Sequence, residues 1–171
     1  IGFMNYVYAT GTVNNLQINA IPVNQNTAPL INTFTYDNLD ALYDRIEANL
    51  AEMKQADVDY TIAYIHWGNE YQTTPNTHQK SIAQNLTNMG VDMIIGSHPH
   101  VIQPVELITS EDSTHTAICL YSTGNAVSNQ RQEVMTSCPS GHTEDGMMFE
   151  FTLRKTKDGV ILDKLDLIPT W

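Results

Sequence analysis

Two apolar runs that each end at a histidine constrain this chain more than any other feature. Val58 to Ile65 is nearly continuous apolar sequence and stops at His66-Trp67-Gly68, and Val91 to Ile95 stops at Gly96-Ser97-His98-Pro99-His100. Short apolar runs of this kind read as strands covered on both faces. Between them Ile82, Ala83, Leu86 and Met89 recur at helical spacing. Thr74 and Pro75 read as the cap and first-turn proline of that helix, and Gly90 as its stop. Strand, helix, strand predicts a right-handed crossover unit of a parallel sheet. Ligand sites in such sheets lie beyond the carboxyl ends of the strands, which is where the histidines fall.

The remaining segments fit around this unit. Ile1 to Tyr8 reads as a buried strand, and Thr10 to Ala28, rich in Asn and Thr, as a long loop that is either a plain connector or a functional, partner-facing segment. Asp37 is positioned to cap a helix whose buried stripe is Leu39, Leu42, Ile46, Leu50 and Met53. Gln103 to Ile108 and Thr116 to Tyr121 flank the polar turn Ser110 to Thr114 as a hairpin, and the second of these runs out into Ser122-Thr123-Gly124-Asn125. Asn129 to Gly146 reads as irregular. Met147 to Lys155 and Val160 to Ile168, joined through Lys157-Asp158-Gly159, predict a closing hairpin.

At 171 residues the chain has room for one domain with a sizeable core. Eight basic residues against nineteen acidic ones give a net charge of −11, with no cluster of Lys or Arg, which argues against a nucleic-acid partner. The same field repels a polyanion unless bound cations invert it locally. Of the two cysteines, Cys119 sits in an apolar run and reads as a buried small hydrophobe, and Cys138 as a free thiol in a polar loop. The chain begins inside a strand without an initiator methionine, so it reads as a piece of a longer protein.

Histidine is the side chain best suited to hold a transition metal or move a proton near neutral pH. Pro99 disfavours helical geometry at His98 and pushes it toward extended chain, in which His98 and His100 point the same way about 6 to 7 Å apart. Two such imidazoles serve two adjacent metals, or one metal and one substrate group, or simply cap a turn. His66, four residues before the carboxylate of Glu70, adds a second strand end to the set. His78, in the first turn of the second helix, reads as solvated surface.

His66-Trp-Gly-Asn-Glu70, Ile95-Gly-Ser-His-Pro-His100 followed by Gln103-Pro104, and Tyr121-Ser-Thr-Gly-Asn125 occur in order. Together they resemble the C-terminal half of the bacterial poly-gamma-glutamate capsule synthesis proteins, the CapA-type family, which is similar to calcineurin-like metallophosphoesterases. The resemblance implies an α/β fold, part of a four-layer sandwich with a mixed sheet, helices and a C-terminal hairpin. Residues 1–171 would then be one unit, the C-terminal portion of a larger domain whose N-terminal half is absent. It also implies metal ligation by His66, His98 and His100, with His98 on one metal and His100 on its neighbour. Glu70 and His98 are the catalytic candidates, Glu70 either orienting an imidazole or acting as acid and base. Asn125 either binds substrate or shapes its turn.

The implied cofactor is a divalent metal, Mn or Zn, with two ions in the full-length protein, while this piece alone is expected to hold either none or one weakly bound ion. The implied partners are the capsule polymer or a phosphoester substrate and the missing half of the same protein. The implied setting is extracytoplasmic, with a membrane anchor in the preceding region. Related enzymes draw their other ligands, an N-terminal aspartate and further carboxylate and Asn-His motifs, from that preceding half. This chain by itself is therefore expected to carry half a metal site and no catalysis, its function belonging to the longer chain as a metal-dependent hydrolase or a non-catalytic polymer-binding module.

Overall fold

A computed structural model describes residues 1–11, 15–157 and 159–171. Part of the expected 10–28 loop, and Asp158 of the closing turn, lie outside the described residues. In chain order the elements are β1 (Gly2–Tyr8), β2 (Gln17–Ile18), β3 (Ile21–Pro22), β4 (Thr33–Phe34), α1 (Asp40–Gln55), β5 (Thr61–His66), α2 (Thr77–Asn88), β6 (Met93–Ser97), β7 (Val105–Thr109), β8 (Thr116–Leu120), β9 (Gly146–Thr156) and β10 (Gly159–Thr170).

The apolar runs become the centre of a six-stranded sheet ordered β4-β1-β5-β6-β8-β7. β5 pairs in parallel with β1 on one side and β6 on the other, so the unit β5-α2-β6 joins neighbouring parallel strands as its pattern predicts. β8 continues the parallel set, and β7 folds back antiparallel as the edge, making the sheet mixed. Asp92 fixes the start of β5, since its carboxylate accepts from the Thr61 N–H at 2.7 Å and the Thr61 hydroxyl at 2.9 Å.

Period-two alternation divides the sheet's side chains between two covers. Met4, Tyr6, Ala63, Ile65, Trp67, Ile94 and Cys119 face Leu42 and Ile46 of α1 and Ile82, Ala83 and Leu86 of α2 in one dry cluster. Tyr60, Ile62, Met93, Ile95, Ile118 and Leu120 face the other way, against Phe149, Phe151, Leu153, Leu162 and Leu165 of the β9-β10 hairpin. Helix layer, mixed sheet and hairpin make an α/β fold compatible with a metallophosphoesterase-like sandwich.

Several local expectations are corrected. α1 starts at Asp40, with Leu39 at its N-cap, and the side chain that meets its first turn is Asn38, whose Oδ1 accepts from the Ala41 N–H, instead of Asp37. α2 is capped by Asn76 in a reciprocal capping box with Gln79, placing Thr74 and Pro75 before the helix. An amide cap satisfies the first-turn N–H groups that a threonine two residues earlier cannot reach. β1 is buried on one face only, since Phe3 is 59% exposed. Cys138 is a free thiol as expected but is buried, and Cys119 is also free.

Candidate metal centre

Two loops, one after β5 and one after β6, build the site. At the end of β5, Trp67 turns into the helix-covered core, fully buried, and its indole N–H donates to the Tyr121 carbonyl at 2.9 Å. Gly96 on β6 lies directly beneath: a Cβ there would stand 2.4 Å from the indole nitrogen and 1.9 Å from the Tyr121 oxygen. Only glycine lets the strand pass, which explains the glycine ahead of the two histidines. The loops are clipped together by the Trp67 N–H donating to Ser97 (3.1 Å) and the Tyr71 N–H donating to Pro99 (2.8 Å).

His98 is not extended, contrary to the expectation from Pro99. Its φ is +101°, and His100 (+61°) and Tyr71 (+63°) also take positive values. Non-glycine residues hold such conformations at a cost of about 1 to 3 kcal/mol each, and only where the surroundings over-determine them. The clips between the loops supply that restraint. The two imidazoles still end up as neighbours, with ring centroids 6.1 Å apart, and His66 stands 4.6 Å from His98.

Glu70, His98 and His100 each offer a ligand atom, all within 4.8 Å of one another. The Glu70 carboxylate lies 3.9 Å from His100 Nε2. His66 borders this group with its Nε2 3.2 Å from Asn19 Oδ1, and His100 Nδ1 lies 2.9 Å from Asn125 Oδ1. Burial, reinforced by the neighbouring imidazoles of His98 and His100, pushes the His66 pKa down to about 4. His98 is lowered as well, chiefly by burial and against the pull of Glu70. Both are therefore neutral at pH 7, the form in which imidazole ligates a metal.

The residues present fit a divalent ion. His98 Nδ1 is buried with no hydrogen-bond partner among the described residues, and buried polar atoms left without partners are rare. It belongs to a residue that already converges with a second imidazole and a carboxylate. A cleft of about 310 Å³ opens beside this group and is lined by Tyr8, Thr10, Gln17, Asn19, Glu70 and His98. A larger one, about 410 Å³, lies on the far side of Asn125 and contains none of the histidines.

Other residues support the site without having been singled out from the sequence. Asn19 comes from the long loop read as a connector or a partner-facing segment, part of which folds into the small β2-β3 hairpin and reaches His66. Buried Gln79 donates to Gln103 Oε1 at 2.7 Å, and Gln103 donates to the Gln72 carbonyl at 2.7 Å, tying the start of α2 to both loops. Gln103 is the exception, since Gln103-Pro104 already belonged to the motif that follows His100. Tyr36 accepts from the Gly68 N–H at 2.9 Å and is stacked between Tyr8 (4.1 Å) and His78 (4.2 Å). His78 is thus exposed, as expected, yet holds an aromatic stack under the first loop.

Comparison with known proteins identifies the chain's family. The profile of the family described as bacterial capsule synthesis protein PGA_cap matches residues 1–130, which include both histidine loops and Asn125. The chain is 30% identical to the capsule biosynthesis protein CapA of Bacillus anthracis over 132 residues, 77% of this chain and 28% of that protein. It is 31% identical to the PGA biosynthesis protein CapA of Bacillus subtilis over 101 residues, 59% of this chain and 23% of that protein. The matched region is thus about a quarter of either relative's length. With the family's profile running through strands, helices and histidine loops alike, the chain belongs to the bacterial capsule synthesis protein family.

Proposed function

We propose that this chain carries one part of a divalent-metal centre in a capsule-biosynthesis protein that acts, in its longer form, as a metal-dependent hydrolase on a phosphoester or on the capsule polymer. The observation that carries the reading is the convergence of Glu70, His98 and His100 around the partnerless, buried His98 Nδ1. Mn or Zn suits this mixture of imidazole and carboxylate donors. When bound, such an ion polarises a phosphoryl or acyl oxygen and activates water.

The chain's own residues do the rest. His98 and His100 present ligand nitrogens, and His66, held neutral by burial, completes a row of imidazoles at the strand ends. Glu70, with its side chain 45% exposed, is free to ligate or to take a proton from water at its Oε1. Among the described residues the cleft beside His98 offers the Tyr8, Thr10, Gln17 and Asn19 side chains to a substrate and no Lys or Arg. In this reading an anionic group of the substrate is met by the metal.

In this reading residues 1–171 form the C-terminal portion of a larger domain, and the preceding half supplies the carboxylates for a second ion and a membrane anchor outside the cytoplasm. Among the described residues no helix is long and apolar enough to cross a membrane. Nucleic acid is not among the partners. The amide and hydroxyl lining of the cleft also suits a second reading, in which the parent binds or anchors the polymer without cleaving it.

Metal analysis and Mn or Zn titration of this chain beside the full-length protein separate these readings. Two ions in the full-length protein, lost when His66, His98 and His100 are replaced by alanine, support the hydrolase. Unchanged metal content in those variants overturns it. Binding of gamma-linked glutamate polymer that survives both chelation and loss of the histidines favours the second reading.

A further inference from the structure

Asn125 sits one residue beyond Gly124 at the exit of β8, and both polar atoms of its side chain are engaged within the protein. Its Nδ2 lies 2.9 Å from the Thr143 carbonyl and 3.0 Å from Gln130 Oε1, and its Oδ1 lies 2.9 Å from His100 Nδ1. These contacts fix what coordinates alone leave open, namely which end of an amide is which and which imidazole nitrogen carries the proton. A backbone carbonyl can only accept, so the group facing Thr143 must be the amide's NH₂. The opposite end is then the oxygen, which can only accept, so the proton between it and His100 belongs to Nδ1. In the neutral imidazole the lone pair is then on His100 Nε2, 3.9 Å from the Glu70 carboxylate.

The surrounding chain is built to hold this arrangement. Gly124 has φ +70°, and a Cβ on it would meet the Asp145 carbonyl at 2.5 Å. A Cβ on Gly146 would meet the Asn125 carbonyl at 2.3 Å. The two glycines face each other across an isolated bridge, so the 143–146 backbone can close on Asn125. Gln130 is anchored in turn, its carbonyl accepting from the Thr143 hydroxyl at 2.6 Å. Its Nε2 lies 3.4 Å from the hydroxyl of Tyr71, whose ring stacks on His100 with centroids 6.0 Å apart. His100 is held at its edge by Asn125 and over its face by Tyr71, and Gln130 touches both.

We infer that Asn125, oriented by the Thr143 carbonyl and Gln130, is a positioning residue that fixes His100 in the Nδ1–H tautomer and so selects Nε2 as its reactive atom. The inference rests on the metal-site reading only for what Nε2 then does; the tautomer itself exists without metal. Partners of this kind around a ligating histidine typically change metal affinity by 10-fold to 100-fold when removed.

The test is long-range ¹H–¹⁵N correlation on the ¹⁵N-labelled, metal-free chain at pH 8, with His100 assigned through His100→Gln. Wild type is expected to show His100 with a protonated Nδ1 and an unprotonated Nε2. Asn125→Leu should move it toward the Nε2–H form that an unconstrained imidazole prefers, and weaken zinc binding by about 10-fold or more. A wild-type His100 in the Nε2–H form overturns the inference whatever the variants do, as does Asn125→Leu with an unchanged tautomer. A locked tautomer in this chain, with a full-length protein that binds no zinc, supports the positioning role while removing the metal reading, so the two fail separately.

Discussion

The two faces of the central sheet are covered by different means and to different depths. On the helix side, Ile65, Trp67, Ile94, Cys119 and the α1 and α2 residues Leu42, Ile46, Ile82 and Leu86 have no exposed surface at all. On the other side, the hairpin residues that meet the sheet are only partly buried, Phe3 is left 59% exposed, and Met148 and Ile168, paired on the outer face, are exposed. By alternation along β5, His66 belongs with Ile62 and Tyr64 to the hairpin side, whereas Trp67 belongs to the helix side. The difference teaches that the dry helix face anchors the fold and the looser face carries the histidine chemistry.

That contrast can be broken or sharpened by measurement. The largest effect is expected from Gly96→Ala, whose methyl group collides with the Tyr121 carbonyl and the Trp67 indole. A loss of about 3 kcal/mol or more in urea unfolding is expected, because neither backbone nor buried ring can yield. A variant as stable as wild type would show that the strand ends are not held as tightly as the geometry requires. Next, Ile94→Ala in the dry cluster should cost about 3 kcal/mol, and Phe151→Ala under the hairpin about half of that, because a partly exposed ring has less burial to lose. Equal losses would erase the distinction between the faces.

A smaller effect is expected from pH. His66 titrates near 4 in the folded chain and near 6.5 unfolded. Between these values the unfolded state binds the extra proton, so this contribution is fully present above pH 6.5 and is lost as pH falls toward 4. After allowance for partial exposure it amounts to about 1 kcal/mol. In the presence of a chelator, the stability difference between wild type and His66→Gln should therefore shift against wild type from pH 7 to pH 4.5. A difference that stays constant would refute the assignment. Smallest of all, Ile168→Lys on the outer face of β10, opposite Met148, should change stability by less than about 0.5 kcal/mol, as expected of an exposed site. A large loss in the full-length protein alone would mean that another part of that protein covers this face.

Much of this was legible in the sequence where a pattern has one physical solution. Two apolar runs separated by an amphipathic stripe leave little choice but neighbouring parallel strands, and the histidines at their ends had to fall on one edge of the sheet. The closing hairpin was equally plain from its two long runs and the glycine at its turn. What escaped depends on contacts between distant segments. Asn19 reaches His66 across 47 positions, and nothing in a polar loop announces that. The caps at Asn38 and Asn76 turn on one or two backbone angles that several neighbouring polar residues could equally have served. The local rule for a residue before proline was overridden at His98 because hydrogen bonds from Trp67 and Tyr71 dictate the path of the loop.

The positive φ angles of Tyr71, His98 and His100 have a consequence for engineering. Glycine or asparagine at these positions would relax the backbone, so a redesign of this chain guided by thermal stability alone would replace two of its histidines early. Selection for heat resistance and retention of the histidine pair would pull in opposite directions within the same short loop, His98-Pro99-His100. A library built on this scaffold would have to hold those positions fixed before anything else is optimised.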